Sequence, residues 1–329
     1  MEFEYKDILL SQIDHADVTF LISTEESVES LKASIQRVGL IQPPILISKS
    51  KQEERENKYA IVVGFRRIRA CRELGWGDLK AMCLESDTPF IKCALAAVSG
   101  NLSHRKLNLV EAARCFALLE NETDQSEEIY QTLASIGLQS NKEMIAKLKK
   151  IADMGDLLQQ GLILGSIALP VALELHAMSD ESGAKALTGL LLELNLSLSR
   201  QRETLDWIQA IAHREKLDIE RVLGDEAIRR CRRNTTVDAP RKANVIRALL
   251  RKRRYPEISA HEQKYANALK SLTIPKSLQI IPPAHFESPS YGLKIDFKTA
   301  DGLDKRLEEA RKMVHSPSFI SLLKTSKSE

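Results

Sequence analysis

The chain has 329 residues, long for one core and comfortable for two or three domains. Its 48 lysines and arginines nearly cancel 45 acids, so a net charge of +3 identifies no partner and only the distribution of charge can. The five cysteines form no C-x-x-C pair, few residues are aromatic and no apolar run reaches transmembrane length. This argues against a zinc ribbon, a disulfide framework and a membrane span, and for a helix-rich protein of a reducing cytoplasm. The acidic start, Met1-Glu2-Phe3-Glu4, is unlike a signal peptide.

Asp7 to Leu10 reads as a first short strand. Ser23 followed by Glu26 forms a capping-box start for a helix that sets Val28, Leu31, Ile35 and Val38 on one face and stops at Gly39. Pro44 to Ile47 is a strand, and the polar stretch from 48 to 58 is a loop. Tyr59 to Val63 is an apolar, β-branched run that suits a buried strand. Gly64 breaks it, and a helix from 65 to 74 places Phe65, Ile68, Cys71 and Leu74 on one side before Gly75 ends it. A strand near Leu79 to Leu84 and a small-residue helix from Thr88 complete an α+β first third.

The helix after Gly64 carries an unusual charge. Arg66, Arg67, Arg69 and Arg72 crowd its first turns, where the positive end of the helix dipole normally attracts acids. An anion would balance them. A strand, a glycine turn and an arginine-loaded helix start make a phosphate cradle on one reading and a solvated basic face on the other. The local pattern weighs the two evenly.

Asn108 and Glu111 repeat the capping pattern and open a stretch that reads helical to Lys216, with Pro170 beginning one helix and Ser199 capping that of Leu205, Ile208 and Ile211. Residues 128 to 153 resemble a helix-turn-helix. Ile129, Leu133 and Ile136 form one face, Gly137 to Asn141 the turn, and Met144, Ile145, Leu148 and Ile151 the next face. Lys142, Lys147, Lys149 and Lys150 are left outward, as donors to DNA phosphates and base edges or as an ordinary lysine-rich solvent face. From 226 to 254 the only acid after Glu226 is Asp238. Against it stand Arg229, Arg230, Arg232, Arg233, Arg241, Lys242, Arg247, Arg251, Lys252, Arg253 and Arg254. This reads as two basic helices joined by a loop, an electrostatic footprint for nucleic acid. Beyond 254, Leu278 to Ile281 and Leu293 to Phe297 read as strands, Leu303, Leu307 and Ala310 as a helix, and the tail from Lys324 as disordered.

Gly64-Phe65-Arg66-Arg67-Ile68-Arg69-Ala70 resembles the Gly-Glu-Arg-Arg-x-Arg-Ala box of the ParB partition-protein N-terminal domain. The runs Ser34 to Pro44 and Asn101-Leu102-Ser103-His104-Arg105 fall in that family's order and at its usual separations. The resemblance covers about two-thirds of the chain. It implies an α+β N-terminal ParB/sulfiredoxin-like domain over 1–107, an all-α DNA-binding domain with a helix-turn-helix over 108–216, a basic helical linker over 217–254 and a small C-terminal α/β unit over 255–329 that dimerises.

The resemblance further implies a cytidine-triphosphate site with magnesium. By position, Gln42, Pro43, Gly64, Arg66, Arg67, Arg69, Ala70, Asn101 and Arg105 would bind the nucleotide. Phe65 and Gly100 stand where the family has glutamates, and His104 stands where it has the third-box arginine. A hydrolase needs a carboxylate or similar group to hold metal or position water, so binding is expected over turnover and no protein metal ligand is assigned. At most a weak CTPase is expected. Sulfiredoxin chemistry needs a cysteine where Phe65 stands. The expected partners are double-stranded DNA, a second copy of the chain and a partition ATPase, on the nucleoid of a bacterial cytoplasm. The alternatives are a ParB-derived transcription regulator without nucleotide control and a ParB-like nuclease or nucleotidase.

Overall fold

The computed structural model describes residues 2–49, 58–102, 106–120, 141–272, 274–283 and 290–324. They fall into two compact units, Met1–Leu192 and Glu193–Glu329.

The first unit begins with a four-stranded mixed sheet of β1 (Glu4–Leu9), β2 (Ile45–Ser48), β3 (Tyr59–Val63) and β4 (Asp78–Leu84), in the order β1-β4-β2-β3. β4 runs antiparallel to β1 and parallel to β2, and β2 runs antiparallel to β3. Leu46 of the inner strand β2 is fully buried, as are Ala81 of β4 and, from α2 (Phe65–Glu73), Ala70 and Cys71. They join Ile8, Ile13, Ile35, Ile61, Ile68 and Leu79 in one core, where each large apolar side chain contributes about 1.5–3 kcal/mol on burial. α1 (Glu29–Val38) packs against α2, and α3 (Phe90–Leu102) against β3.

Two local expectations differ here. The first helix starts at Glu29 after an N-cap at Val28, and Ser23 does not cap it. The chain before it is held out of the helix by distant partners: Arg66 donates to the carbonyl of Ser27, Arg69 to that of Glu26, and Glu111 accepts from the backbone N–H of Thr24. Val38 is 57% exposed, off the buried face that Ile35 occupies, because the helix ends there at Gly39.

Asn108 and Glu111 do form a reciprocal capping box on α4 (Leu109–Glu120). The Asn108 side chain accepts from the Glu111 N–H at 3.0 Å, and the Glu111 carboxylate accepts from the Asn108 N–H at 3.1 Å. α5 (Lys142–Ala152), capped by Asn141, packs on α4. α6 (Asp156–Ile163), α7 (Leu169–His176, with proline in its first turn) and α8 (Glu181–Leu194) follow. The first helix-turn-helix helix, with Ile129, Leu133 and Ile136, and its turn from Gly137 to Ser140 lie outside the described residues.

In the second unit, α9 (Leu198–Glu215) buries Leu205, Ile208 and Ile211 and has Ser197, not Ser199, as its N-cap. Ser197 is extended (ψ 157°) while its carbonyl already accepts from the Gln201 N–H, so the helix has begun by Ser199. α10 (Ile219–Leu223), α11 (Glu226–Arg233), α12 (Ala239–Arg254) and α13 (Pro256–Lys270) continue it. The antiparallel pair β5 (Leu278–Ile281) and β6 (Gly292–Ile295) shares a small core with α14 (Ala300–Val314) through Leu278, Ile280, Ala310 and Met313. Phe297 falls beyond β6 and Leu307 turns away from that core; both are about half exposed. α15 (Pro317–Lys324) ends the described chain, and the rest of the serine- and lysine-rich tail lies outside it.

Candidate functional site

The turn from β3 to α2 is tight. Gly64 has φ +102°, and a Cβ there would lie 2.9 Å from the Cβ of Pro44. Only glycine permits both the backbone conformation and the approach. The approach brings the arginine helix against the Gln42–Pro44 segment. Arg67 donates to the carbonyl of Gln42 at 2.7 Å and to that of Pro43 at 3.4 Å. Its guanidinium is half-buried, and burial lowers its pKa because desolvation penalises the charge. Arginine keeps its proton nonetheless, so this is a cation with reduced water screening.

A cavity of about 270 Å³ opens at this point, lined by Gln42, Gly64, Phe65, Arg66, Arg67, Gly100 and Asn101. Segments separated in sequence thus meet at one hollow. Asn101 is steadied from its own helix, its amide donating to the carbonyl of Ala97 at 2.8 Å. Gly100 abuts β3: a Cβ there would lie 2.8 Å from Cγ1 of Val63. The carbonyl of Pro43 faces Arg67, while Ala70 is fully buried on the core side of α2 and lines neither this hollow nor the next. Phe65 packs against the core. His104 and Arg105 lie outside the described residues.

A second cavity, of about 570 Å³, shares Phe65 and Arg66 with the first. Arg69, Arg72 and Arg114 line it with Glu25 and Glu26. Arg66 stands between the two. It donates to the Ser27 carbonyl at 2.8 Å and pairs with the Glu25 carboxylate at 2.6 Å, while its Nε is buried without a partner. Arg69 pairs with Glu73 at 3.0 Å. The arginines at the helix start are therefore balanced within the chain by carbonyls, by Glu25 and by Glu73. Residue patterns gave no signal for this, because Glu25 is distant in sequence from Arg66 and looks like an ordinary helix-start acid.

Among the described residues there is no group of three or more His, Cys, Asp or Glu side chains that could hold a metal ion. A magnesium ion would have to take most of its ligands from phosphate oxygens and water, which is common for that ion. The thiols of Cys71, Cys83 and Cys93 are buried, and burial pushes their pKa values up, so they are poor nucleophiles at neutral pH.

The lysines of α5 divide into two sets. Lys147 pairs with Glu143 at 2.6 Å, and Lys149 pairs with Glu120 beside the Phe116 ring. Lys142 and Lys150 are exposed and have no ion pair among the described residues. The basic helices α11 and α12 divide likewise. Arg232 pairs with Glu193, Arg251 with Glu262 at 2.6 Å, and Arg253 with Glu215, while Arg254 stacks on the Tyr255 ring. Arg229 lies 4.0 Å from Glu226 across an exposed turn. Arg230, Arg233 and Lys252 are exposed, with no ion pair among the described residues. Much of the positive charge in this stretch is thus tied to carboxylates from elsewhere in the same unit.

Residues 5–98 match the family model described as the ParB N-terminal domain. The chain is 33% identical over 108 residues to a nucleoid occlusion protein of Bacillus licheniformis, covering 32% of this chain and 36% of that protein. It is 27% identical over 183 residues to a nucleoid occlusion protein of Halalkalibacterium halodurans, covering 55% of this chain and 60% of that one. The matches thus span from about a third to three-fifths of these relatives' length. Among solved structures, it is similar to the C-terminally truncated chromosome-partitioning protein ParB from Caulobacter crescentus complexed with CTP-gamma-S. The identity is 21%, the coverage 57% of this chain and 99% of that one, and the TM-score 0.27.

Proposed function

We propose, from the premise that residues 5–98 of this chain are a ParB N-terminal domain, that the protein binds DNA under the control of a nucleoside triphosphate held at the start of α2. The observation that carries this reading is the hollow where Gln42, Gly64, Arg66, Arg67 and Asn101 converge, with a poorly hydrated guanidinium at its wall. Arg67 and the first N–H groups of α2 would hold phosphate oxygens, and Gly64 lets the backbone come close. Asn101 would orient the ligand from α3. Cytidine triphosphate is the nucleotide that the domain's family resemblance implies, and bound magnesium would offset part of its phosphate charge. With Phe65 and Gly100 at the glutamate positions, the residues favour holding the triphosphate over cleaving it.

Lys142 and Lys150 on α5, and Arg230, Arg233 and Lys252 on α11 and α12, are the cations best placed to reach DNA phosphates, since no carboxylate among the described residues already engages them. The β5–β6 pair and α14 would serve a second copy of the chain. Nucleoid occlusion is the setting the relatives' names suggest; partition, with a partition ATPase as partner, is the one the family resemblance implies.

The test is a titration of the full chain with each of four nucleoside triphosphates and magnesium, with and without duplex DNA. Selective binding of one triphosphate, and a change of its affinity when DNA is present, is the expected result. Absence of binding to any of the four would reject nucleotide control and favour a plain DNA-binding regulator.

A further inference from the structure

The loop before α1 places a carboxylate on the guanidinium that the phosphate reading needs. Glu25 Oε2 lies 2.6 Å from Arg66 Nη1, and the Ser27 carbonyl accepts from Arg66 Nη2 at 2.8 Å. Two of the three nitrogens of Arg66 are thereby taken from within the chain, and the third, Nε, is buried and unpartnered. The residue lines both cavities, as do Leu21 and Ser23 from the chain before α1, so the loop and the hollow beside Arg67 meet at its guanidinium. The loop itself is anchored independently of Glu25. Arg69 donates to the Glu26 carbonyl at 3.1 Å, and buried Glu111 accepts from the N–H of Thr24 at 2.8 Å and from its hydroxyl at 3.1 Å. The Glu25 carboxylate can therefore leave Arg66 while the backbone stays in place.

We propose that Glu25 is an internal competitor for the phosphate: it occupies Arg66 in the empty protein and must release it before a triphosphate engages that guanidinium. This rests on the nucleotide reading above and adds a residue to it. A carboxylate and a phosphate cannot both hold the same face of one guanidinium, and the pair costs the ligand whatever the pair was worth. Glu25 is half exposed and Arg66 one quarter exposed, so the pair is solvent-screened and its effect modest. Its release subtracts the same small free energy from any ligand that engages Arg66.

The experiment is calorimetric titration of the full chain with cytidine triphosphate and magnesium, with inorganic triphosphate as a probe lacking the base. Glu25→Gln removes the charge and keeps the shape. It is expected to tighten both probes roughly two- to fivefold, the range for a partly exposed ion pair. Glu26→Gln removes the same charge one residue away, where only the backbone carbonyl meets an arginine, and is expected to change little. In an Arg66→Ala background the gain from Glu25→Gln should vanish, as a double-mutant cycle requires of a direct pair. Equal gains from Glu25→Gln and Glu26→Gln would show a general field effect and overturn the competition. So would unchanged affinity on Glu25→Gln with the wild type binding normally. No binding of either probe to any variant is a different outcome: it rejects the nucleotide reading itself, and the competition with it.

Discussion

Arg67 and Gly64 show how much a single side chain or its absence contributes to the hollow. Arg67 is engaged by the carbonyls of Gln42 and Pro43, so its charge is positioned before any ligand arrives. Arg67→Ala should therefore act twice. In the wild type, a triphosphate at 100 times its dissociation constant stabilises by about 2.7 kcal/mol. The variant should lose that gain in thermal unfolding with ligand. It should also unfold slightly earlier without ligand, by about 0.5–1.5 kcal/mol, because the hydrogen bonds to the Gln42 and Pro43 carbonyls are lost. Gly64→Ala meets two obstacles, a φ of +102° and Pro44 at 2.9 Å from the new Cβ. Urea unfolding should show a loss of roughly 1–3 kcal/mol, and nucleotide affinity should fall with it because the helix start moves. A loss smaller than a few tenths of a kcal/mol would mean that the turn tolerates a side chain.

At the scale of elements, α12 is held to its own unit by charge as well as by Ile246 and Leu250. Arg253 hydrogen-bonds the Glu215 carboxylate and holds its pKa below the ordinary value of 4.5; burial opposes the shift, and Arg214 adds to it. Because the folded value is the lower one, the contribution to stability is complete above the unfolded pKa and disappears as pH falls through the folded one. Stability of the wild type should fall more steeply below about pH 4.5 than that of Glu215→Gln, which lacks this titration. Parallel curves from urea unfolding between pH 6 and 3 would dismiss the linkage. The same partition of arginines predicts salt dependence. Alanine at Arg230, Arg233 and Lys252 should reduce the slope of log affinity for DNA against log salt by up to about three, while alanine at Arg251 and Arg253 should cost stability more than slope. The reverse result would place DNA on the ion-paired face.

Local patterns made β3, Gly64 and the apolar face of α2 legible, since each depends on neighbours in sequence. The capping boxes show where that stops. Asn108 and Glu111 behave as their spacing predicts, but Ser23 and Glu26 do not, because Arg66, Arg69 and Glu111 hold the backbone there out of the helix. Nothing near Ser23 announces those partners. The pairing of Arg232 with Glu193 and of Arg253 with Glu215 is equally long-range, which is why the basic stretch looked wholly available from sequence.

For the whole molecule, the rate of phosphate release tests whether the hollow holds a triphosphate or cleaves it. No metal-ligand cluster occurs among the described residues, and the two positions where the resemblance expects glutamate are Phe65 and Gly100. Phosphate release by the full chain, with DNA and magnesium present, should stay well below about 1 per second, the lower end of ordinary enzyme turnover. Release at or above that rate would require another group to position water, and Asn101 would be the first to replace. Composition and periodicity already suggested a mixed α and β domain followed by helices. The gathering of Gln42, Gly64 and Asn101 could be expected only through resemblance, because no periodicity links three segments so far apart.

The contact between Gly100 and Val63 bears on how this lineage can change. A glutamate at position 100 would bring its Cβ within 2.8 Å of Cγ1 of Val63, and valine is stiff about χ1. One substitution therefore cannot place a carboxylate there without strain of about 1–3 kcal/mol. Val63 must shrink first, and by itself that step only opens a void on β3. Each half of the change is harmful alone, so a path of single substitutions to an acid at position 100 is obstructed at both of its steps. Unfolding of Gly100→Glu and of Gly100→Glu with Val63→Ala tests it: the double variant should be the more stable of the two.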